Sequence, residues 1–221
     1  MDPIQSTPQS SIRQLPKRGS YDRDTIYAIL DEALLAHVGF EQQGQPYVIP
    51  MAYARMGDRL VLHGAANSRI MTTMATGQPL CVTVTLLDDL VLAKSALHHS
   101  MNYRSVVILG RARPVTDAQE KRSALRAIVE HIVPGRWEQC RQPTPGEEQA
   151  TGVATLAIDQ ASAKLRTGPP IDAPEDQDLA FWAGLLPIST TLGPPQAADY
   201  SPADAPVPDH VASYRRPAGL P

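Results

Sequence analysis

Arg59-Leu60-Val61-Leu62-His63-Gly64-Ala65-Ala66-Asn67-Ser68-Arg69 passes from one kind of structure into another. The first four residues read as a buried strand. From Ser68 to Ala75 the apolar side chains Ile70, Met71 and Met74 fall at the spacing of a short helix. Between the two lie Gly64, Ala65 and Ala66, small enough to let backbone approach a ligand closely. Asn67 or Ser68 can cap the helix, leaving N–H groups outward. Arg69 then stands at the end of the helix dipole that disfavours a cation. An anion between the helix start and the guanidinium resolves that conflict, and phosphate suits a two-pronged, permanently charged donor. A plain strand–turn–helix connection with a solvated Arg69 is the alternative.

The 221 residues are enough for one domain with extensions, and 43% hydrophobic residues are enough for a core. A net charge of −3 gives no reason to expect nucleic acid or an anionic membrane as partner. No run reaches the roughly 18 apolar residues of a membrane span. Residues 1–19 are polar, with Pro3, Pro8 and Pro16, and read as a flexible arm without a secretory signal. Cys81 and Cys140 stand far apart, in no metal spacing, as reduced thiols of a cytoplasmic protein.

Along the chain, Asp22 or Asp24 caps a helix to about Leu35, and Ala36 to Phe40 is a short strand that turns at Gln42 to Gln45. Gly39 and Gly44 have the spacing of a phosphate loop, but Gln45-Pro46 replaces its Lys-Ser/Thr, so that motif is rejected. Tyr47 to Ala54 is a second strand, interrupted by Pro50. A proline there marks a bulge or an edge facing something other than a strand, and a flat ligand along that edge is one explanation. Leu80 to Leu86 is a strand, Asp88-Asp89 a turn, and Leu90 to Ala93 the return. A polar connection over 94–103 leads to a strand from Arg104 to Arg113 with an unbroken apolar centre, expected to be buried on both faces. Asp117 caps a helix to Ile132, with Leu125, Ile128, Val129 and Ile132 inward. Val153 to Ile158 and Ala163 to Arg166 read as a last hairpin. From residue 189 to 221, repeated prolines imply an extended tail. The pattern is mainly β with α: six or seven strands and three helices forming an antiparallel barrel over 20–188 with peripheral helices.

Pro46-x-x-x-Pro50, then Leu60-Val61-Leu62-His63-Gly64-Ala65-x-x-Ser68-Arg69, Gln78-Pro79, and Tyr103-Arg104-Ser105-Val106-Val107-x-x-Gly110 resemble the flavin-binding split-barrel superfamily. This is the fold of pyridoxamine 5′-phosphate oxidase. The pattern is most similar to its flavin-nucleotide-binding branch, which includes the nitroimidazole-resistance proteins. The resemblance implies a homodimer with FMN at the subunit interface and a small-molecule substrate. Ser68 and Arg69 match the Ser-Arg that grips the FMN phosphate, although Ile70 replaces the lysine that follows in the oxidase. Ile49, Pro50 and Met51 match the strand along the flavin ring, with Gly64 and Ala65 beside it. Ser105 matches a flavin-contacting Gln, and Trp182-Ala183-Gly184 resembles the oxidase's Trp-Gly-Gly segment. The oxidase's C-terminal Arg-Leu-His-Asp-Arg motif has no counterpart, so vitamin B6 oxidation is not implied.

His63 matches a histidine beside the flavin and is the candidate proton donor, since imidazole titrates near neutrality. Its plainer role is ordering the pocket wall. Lys164 is a candidate for reaching the flavin, and Tyr103 for the barrel mouth or the dimer contact. His98-His99 point apart with no third ligand near in sequence, so no metal is expected. The reading is an FMN-dependent oxidoreductase acting on a nitroaromatic or quinone-like acceptor. The alternatives are a flavin-storage protein, or a split barrel holding haem with His63, His98 or His99 as axial ligand.

Overall fold

The computed structural model describes residues 2–202 and 204–215. Its elements run β1 (Gly19–Ser20), α1 (Arg23–Glu32), β2 (Leu35–Gln42), β3 (Gln45–Met56), β4 (Arg59–Ala65), α2 (Arg69–Ala75), β5 (Pro79–Leu92) and β6 (Ser100–Arg111). There follow β7 (Arg113–Pro114), α3 (Ala118–Ile132), α4 (Pro145–Ala150), β8 (Thr151–Ala157), β9 (Ala161–Arg166), β10 (Gly184–Pro187) and α5 (Asp209–Ala212). The strands are antiparallel in the order β1-β9-β6-β5-β2-β3-β4-β8-β7, with β10 added to β5. Among the described residues no helix is long and apolar enough to cross a membrane.

β3 is the strand that makes the barrel split. Its residues 45–52 pair with β2, and Tyr53–Met56 pair with β4, so one backbone belongs to both sheet halves. The last two barrel strands are not the hairpin that their proximity in sequence suggests. β8 pairs with β4 and β7, while β9 pairs with β6 and β1, and the chain crosses between the halves at 158–160. The halves touch where Gly110 of β6 faces Leu156 of β8. A Cβ on Gly110 would lie 2.8 Å from Leu156 Cδ1, so only a glycine leaves this approach undisturbed.

Two other strand readings are corrected. Asp88-Asp89 is no turn: β5 runs straight through it, with the ladder slipping at Leu87/Asp89 so that Asp88 is an extra residue. Arg104 holds that residue through its guanidinium, and Asn102 Nδ2 donates to Asp89 Oδ2 at 2.7 Å. In β6 the apolar centre is not buried on both faces. Val106 and Ile108 point into the core, while Val107 and Leu109 are half-buried on the outer side.

The barrel interior is filled by Ile26, Ile29 and Leu30 of α1 together with Val38, Tyr53, Leu60, Leu62, Val82, Val84, Val106 and Ile108. Burial of this apolar surface is the main drive for the fold. Asp22 caps α1 by accepting from Thr25 N at 2.8 Å, and Tyr53 Oη donates at 2.6 Å to Leu30 O, one of the carbonyls the helix end leaves free. A second cluster, Ala54, Val61, Val115, Ala124, Ile128 and Val153, lies between α3 and the outer face of β4 and β8. On α3, Ile128 is buried as expected, Leu125 and Val129 are half-buried, and Ile132 is 39% exposed.

The segment expected to be a free arm places Ile4 in the core, and Ile4 N donates to Tyr21 O at 2.8 Å. The proline-rich tail carries the single turn α5, after which Tyr214 Oη donates to Ile132 O at 2.8 Å. Residues 203 and 216–221 of that tail lie outside the described residues.

Candidate functional site

At the start of α2, Ser68 is the N-cap, its Oγ accepting from Met71 N at 3.4 Å. Ile70, Met71 and Met74 anchor the helix in the core, and this leaves Arg69 exposed. The Arg69 guanidinium lies over the ring of Tyr47, 4.3 Å from its centroid, and Tyr47 in turn stacks on Phe40. Arg69 has no ion pair among the described residues. Gly64 backs onto this corner, since a Cβ there would lie 3.6 Å from Ser68 Oγ and 3.3 Å from Met71 Cγ.

Tyr47 links the corner to the outer edge of β3. Along residues 45–52 that strand has β2 on one side and, among the described residues, no strand on the other. Pro50 pairs with His37 there, and a residue without an N–H is tolerated because the far edge carries no ladder. Ile49 and Met51 turn toward the core, whereas Val48 and Pro50 are exposed, Val48 by 66%. An open strand edge beside an unpaired guanidinium offers a flat ligand backbone hydrogen bonds and its phosphate a counter-charge.

The other expected residues do not join this corner within one chain. Ser105 and Lys164 are register partners across β6 and β9, and Ser105 Oγ donates to Lys164 O at 3.3 Å. Both alternate with core residues and so face outward, and β5 and β2 separate β6 from β3. Tyr103, opposite Arg166, shares that outer face. Its neighbour Arg104 is a structural cation, paired with Glu32 and with Asp88 at 2.8 Å, and those carboxylates raise its proton affinity further. Trp182 is 68% exposed and packs against Gly184 of β10, where a Cβ would meet its ring at 2.7 Å.

His63 faces the opposite way. Leu62 points into the barrel, and strand alternation turns His63 with Val61 toward α3. There it lines a cavity of about 350 Å³ with Leu125, Ile128, Val129, Trp137, Arg141, Pro143, Glu147 and Thr151, a lining that contains neither Ser68 nor Arg69. Its Nδ1 is buried without a hydrogen-bond partner among the described residues, and burial alone holds the imidazole below its ordinary pKa. At neutral pH the ring is therefore uncharged, which suits a lone-pair donor better than a proton donor. Arg141 Nη2 and Glu147 Oε1 pair at 2.7 Å on the rim, and Thr144 closes a capping box with Glu147 that starts α4. Trp137 and Arg141 were not legible as site residues, since only tertiary packing brings residues 137–151 against His63. The alternation Leu62, His63, Gly64 was the available signal that His63 and Ser68 lie on different sides.

His98 has closer company than its sequence neighbours suggest. Its Nδ1 lies 3.8 Å from Asp172 Oδ1, and ligand-type atoms of His98, Asp172 and Asp176 all fall within 4.8 Å of one another. Asp172 already accepts from the backbone N–H groups of Lys94 and Ser95 at 3.0 Å, which explains its placement without a ligand.

Comparison with known proteins agrees with this architecture. The family model described as pyridoxamine 5′-phosphate oxidase matches residues 22–165. Among solved structures, the flavocytochrome Anf3 from Azotobacter vinelandii is 39% identical, with 96% of this chain and 99% of that chain covered at a TM-score of 0.91. The FAD and heme binding protein from Mycobacterium smegmatis is 37% identical over 88% of this chain and 95% of that chain, at a TM-score of 0.84. A search of the curated proteins returned no match. With the split sheet, the order of its strands and the family model all in agreement, the chain belongs to the pyridoxamine 5′-phosphate oxidase family.

Proposed function

We propose that this chain is a flavin-dependent oxidoreductase with a second site for haem. The observation that carries the reading is the separation of the expected pocket in two: the open edge of β3 with Arg69 on one side, and His63 with its unpartnered Nδ1 on the other. The two relatives more than a third identical to the chain bear names that join a flavin to a haem.

At the first site, Ser68 and Arg69 would hold the flavin phosphate, and the backbone of Ile49–Met51 the polar edge of the ring. FMN and FAD both carry the phosphate that this corner fits. Leu35, Val48 and Leu87 are exposed apolar side chains on β2, β3 and β5, which supports a second copy closing over the cofactor. That copy would bring its own Ser105, Lys164 and Tyr103 face to the ring. Bound there, flavin supplies two-electron chemistry toward a small nitroaromatic or quinone-like acceptor. The two free cysteines suit a cytoplasmic setting.

At the second site the residues fit a haem. His63 offers an uncharged imidazole, Leu125, Ile128, Val129 and Trp137 an apolar wall, and Arg141 a cation able to exchange Glu147 for a propionate. Haem there supplies one-electron chemistry. His63 would fix its orientation, and α3 would exclude water from it.

The visible spectrum tests both halves. Protein purified from cells supplied with both cofactors should show flavin bands and a Soret band. His63→Ala should lose only the Soret band and Arg69→Ala only flavin. A colourless protein that takes up neither overturns the reading. Bound flavin that neither accepts electrons from reduced nicotinamides nor passes them on would make the chain a binding protein.

A further inference from the structure

Arg166 ends β9 opposite Tyr103 of β6 and is only 5% exposed. Among the described residues no carboxylate touches it. Nη1 donates to Asn102 Oδ1 and, at 3.2 Å, to Gly168 O, while Nη2 donates to Pro169 O at 3.4 Å. Its Nε is buried with no partner among the described residues. The nearest acid, Asp89, is one amide away, beyond Asn102. A guanidinium cannot escape burial by losing its proton, so a charge in this position calls for a counter-charge.

The cavity beside it, about 400 Å³, is lined by Lys17, Arg18, Gly19, Leu165, Arg166 and Thr167. Three of these side chains are cationic and none is acidic. The fold sets them there deliberately: a tight turn over Pro16–Arg18 leads into β1, and Gly19 and Ser20 pair with Lys164 and Ala163 of β9. Burial lowers the proton affinity of Arg166 and the neighbouring charge of Arg18 lowers it again, while Tyr103 and Asp89 offset part of this. Like charges gathered around a buried cation repel unless something negative lies between them.

We propose that this cavity binds a phosphate-class oxyanion, a phosphomonoester or diphosphate group, with Arg166 at its floor and Lys17 and Arg18 at its rim. Its lining shares no residue with the Ser68–Arg69 corner, and only the outcome in which it holds the cofactor's own phosphates rests on the flavin reading above. The oxyanion is either a free phosphorylated molecule or the phosphate chain of the chain's own nucleotide cofactor.

Calorimetric titration of the full chain with inorganic pyrophosphate tests it. Binding should weaken by at least about tenfold in the rim variant Lys17→Gln/Arg18→Gln, where two charge-assisted contacts go, and the loss should be the same in an Arg69→Ala background, where the flavin corner no longer holds phosphate. Arg166→Gln, checked for folding by circular dichroism, should abolish it. Binding by flavin-free and flavin-loaded protein alike identifies a free phosphorylated molecule. Binding only by flavin-free protein assigns the site to the cofactor's own phosphates. No heat at millimolar pyrophosphate, or a rim variant that binds as tightly as the parent, overturns the proposal.

Discussion

Arg69, the first residue of α2, rests its guanidinium on the ring of Tyr47, near the start of β3, at 4.3 Å. A cation on a helix is thereby held beside a strand edge from which β4 and a turn separate it in sequence. Arg69→Ala should weaken flavin binding by ~1.5–3 kcal/mol, the loss of one charge-assisted phosphate contact. Tyr47→Leu should cost less, about 0.5–1 kcal/mol, because the guanidinium stays but is no longer held in place. Quenching of flavin fluorescence on titration measures both, and an Arg69→Ala variant with parental affinity would remove the phosphate from this corner.

For His63 the prediction concerns pH. Burial depresses the folded imidazole's pKa, whereas the unfolded chain titrates near its ordinary value of 6.5. Below that pH the unfolded state takes up a proton that the folded state refuses, so acid favours unfolding. Without haem, the parent should lose stability relative to His63→Leu as the pH falls from about 7.5 to about 5. Denaturant midpoints at both pH values give the comparison. Parallel losses in the two proteins would show that the imidazole is solvated.

Arg104 keeps the extra residue of β5 in place. Arg104→Met leaves Glu32 and Asp88 partly buried without a cation and should destabilise by about 2–4 kcal/mol, somewhat below a fully buried pair because Asp88 reaches solvent. Arg104→Lys should restore only part of this, since an ammonium cannot serve two carboxylates in the same plane. Equilibrium unfolding in urea decides it, and a loss within error of zero would leave the strand slip unexplained.

Tyr53→Phe removes one hydroxyl from a fully buried site and leaves Leu30 O without that donor. The expected cost is about 1–3 kcal/mol. A melting temperature equal to the parent's would mean that the carbonyl finds another donor.

These sites show which parts of the molecule were readable from residues alone. The caps at Asp22, Ser68 and Asp117 lie where expected because capping is decided within one turn. Asp88-Asp89 reads as a turn on local grounds, and it is extended because Arg104 and Asn102, remote in sequence, hold both carboxylates. A three-residue link suits a hairpin as well as a crossing, so β8 and β9 gave no local sign that they serve different sheet halves. The candidate site was half legible. Ser68 and Arg69 stand together at the start of α2, where Arg69 meets β3 at Tyr47, but His63, next to them in sequence, is turned away by the two-residue period of a strand. Its cavity needs α3 and residues 137–151, and Asp172 reaches His98 from across the chain. No short-range pattern encodes either meeting.

Because β3 belongs to both halves of the sheet, a single backbone runs from the open strand edge to the strand that carries His63. From Met51 the covalent chain reaches Tyr53, one ladder rung joins Tyr53 to Leu62, and the next residue is His63. A flavin held at that edge and a haem held beside His63 would thus be joined through one strand and one ladder rung, within the same rigid sheet.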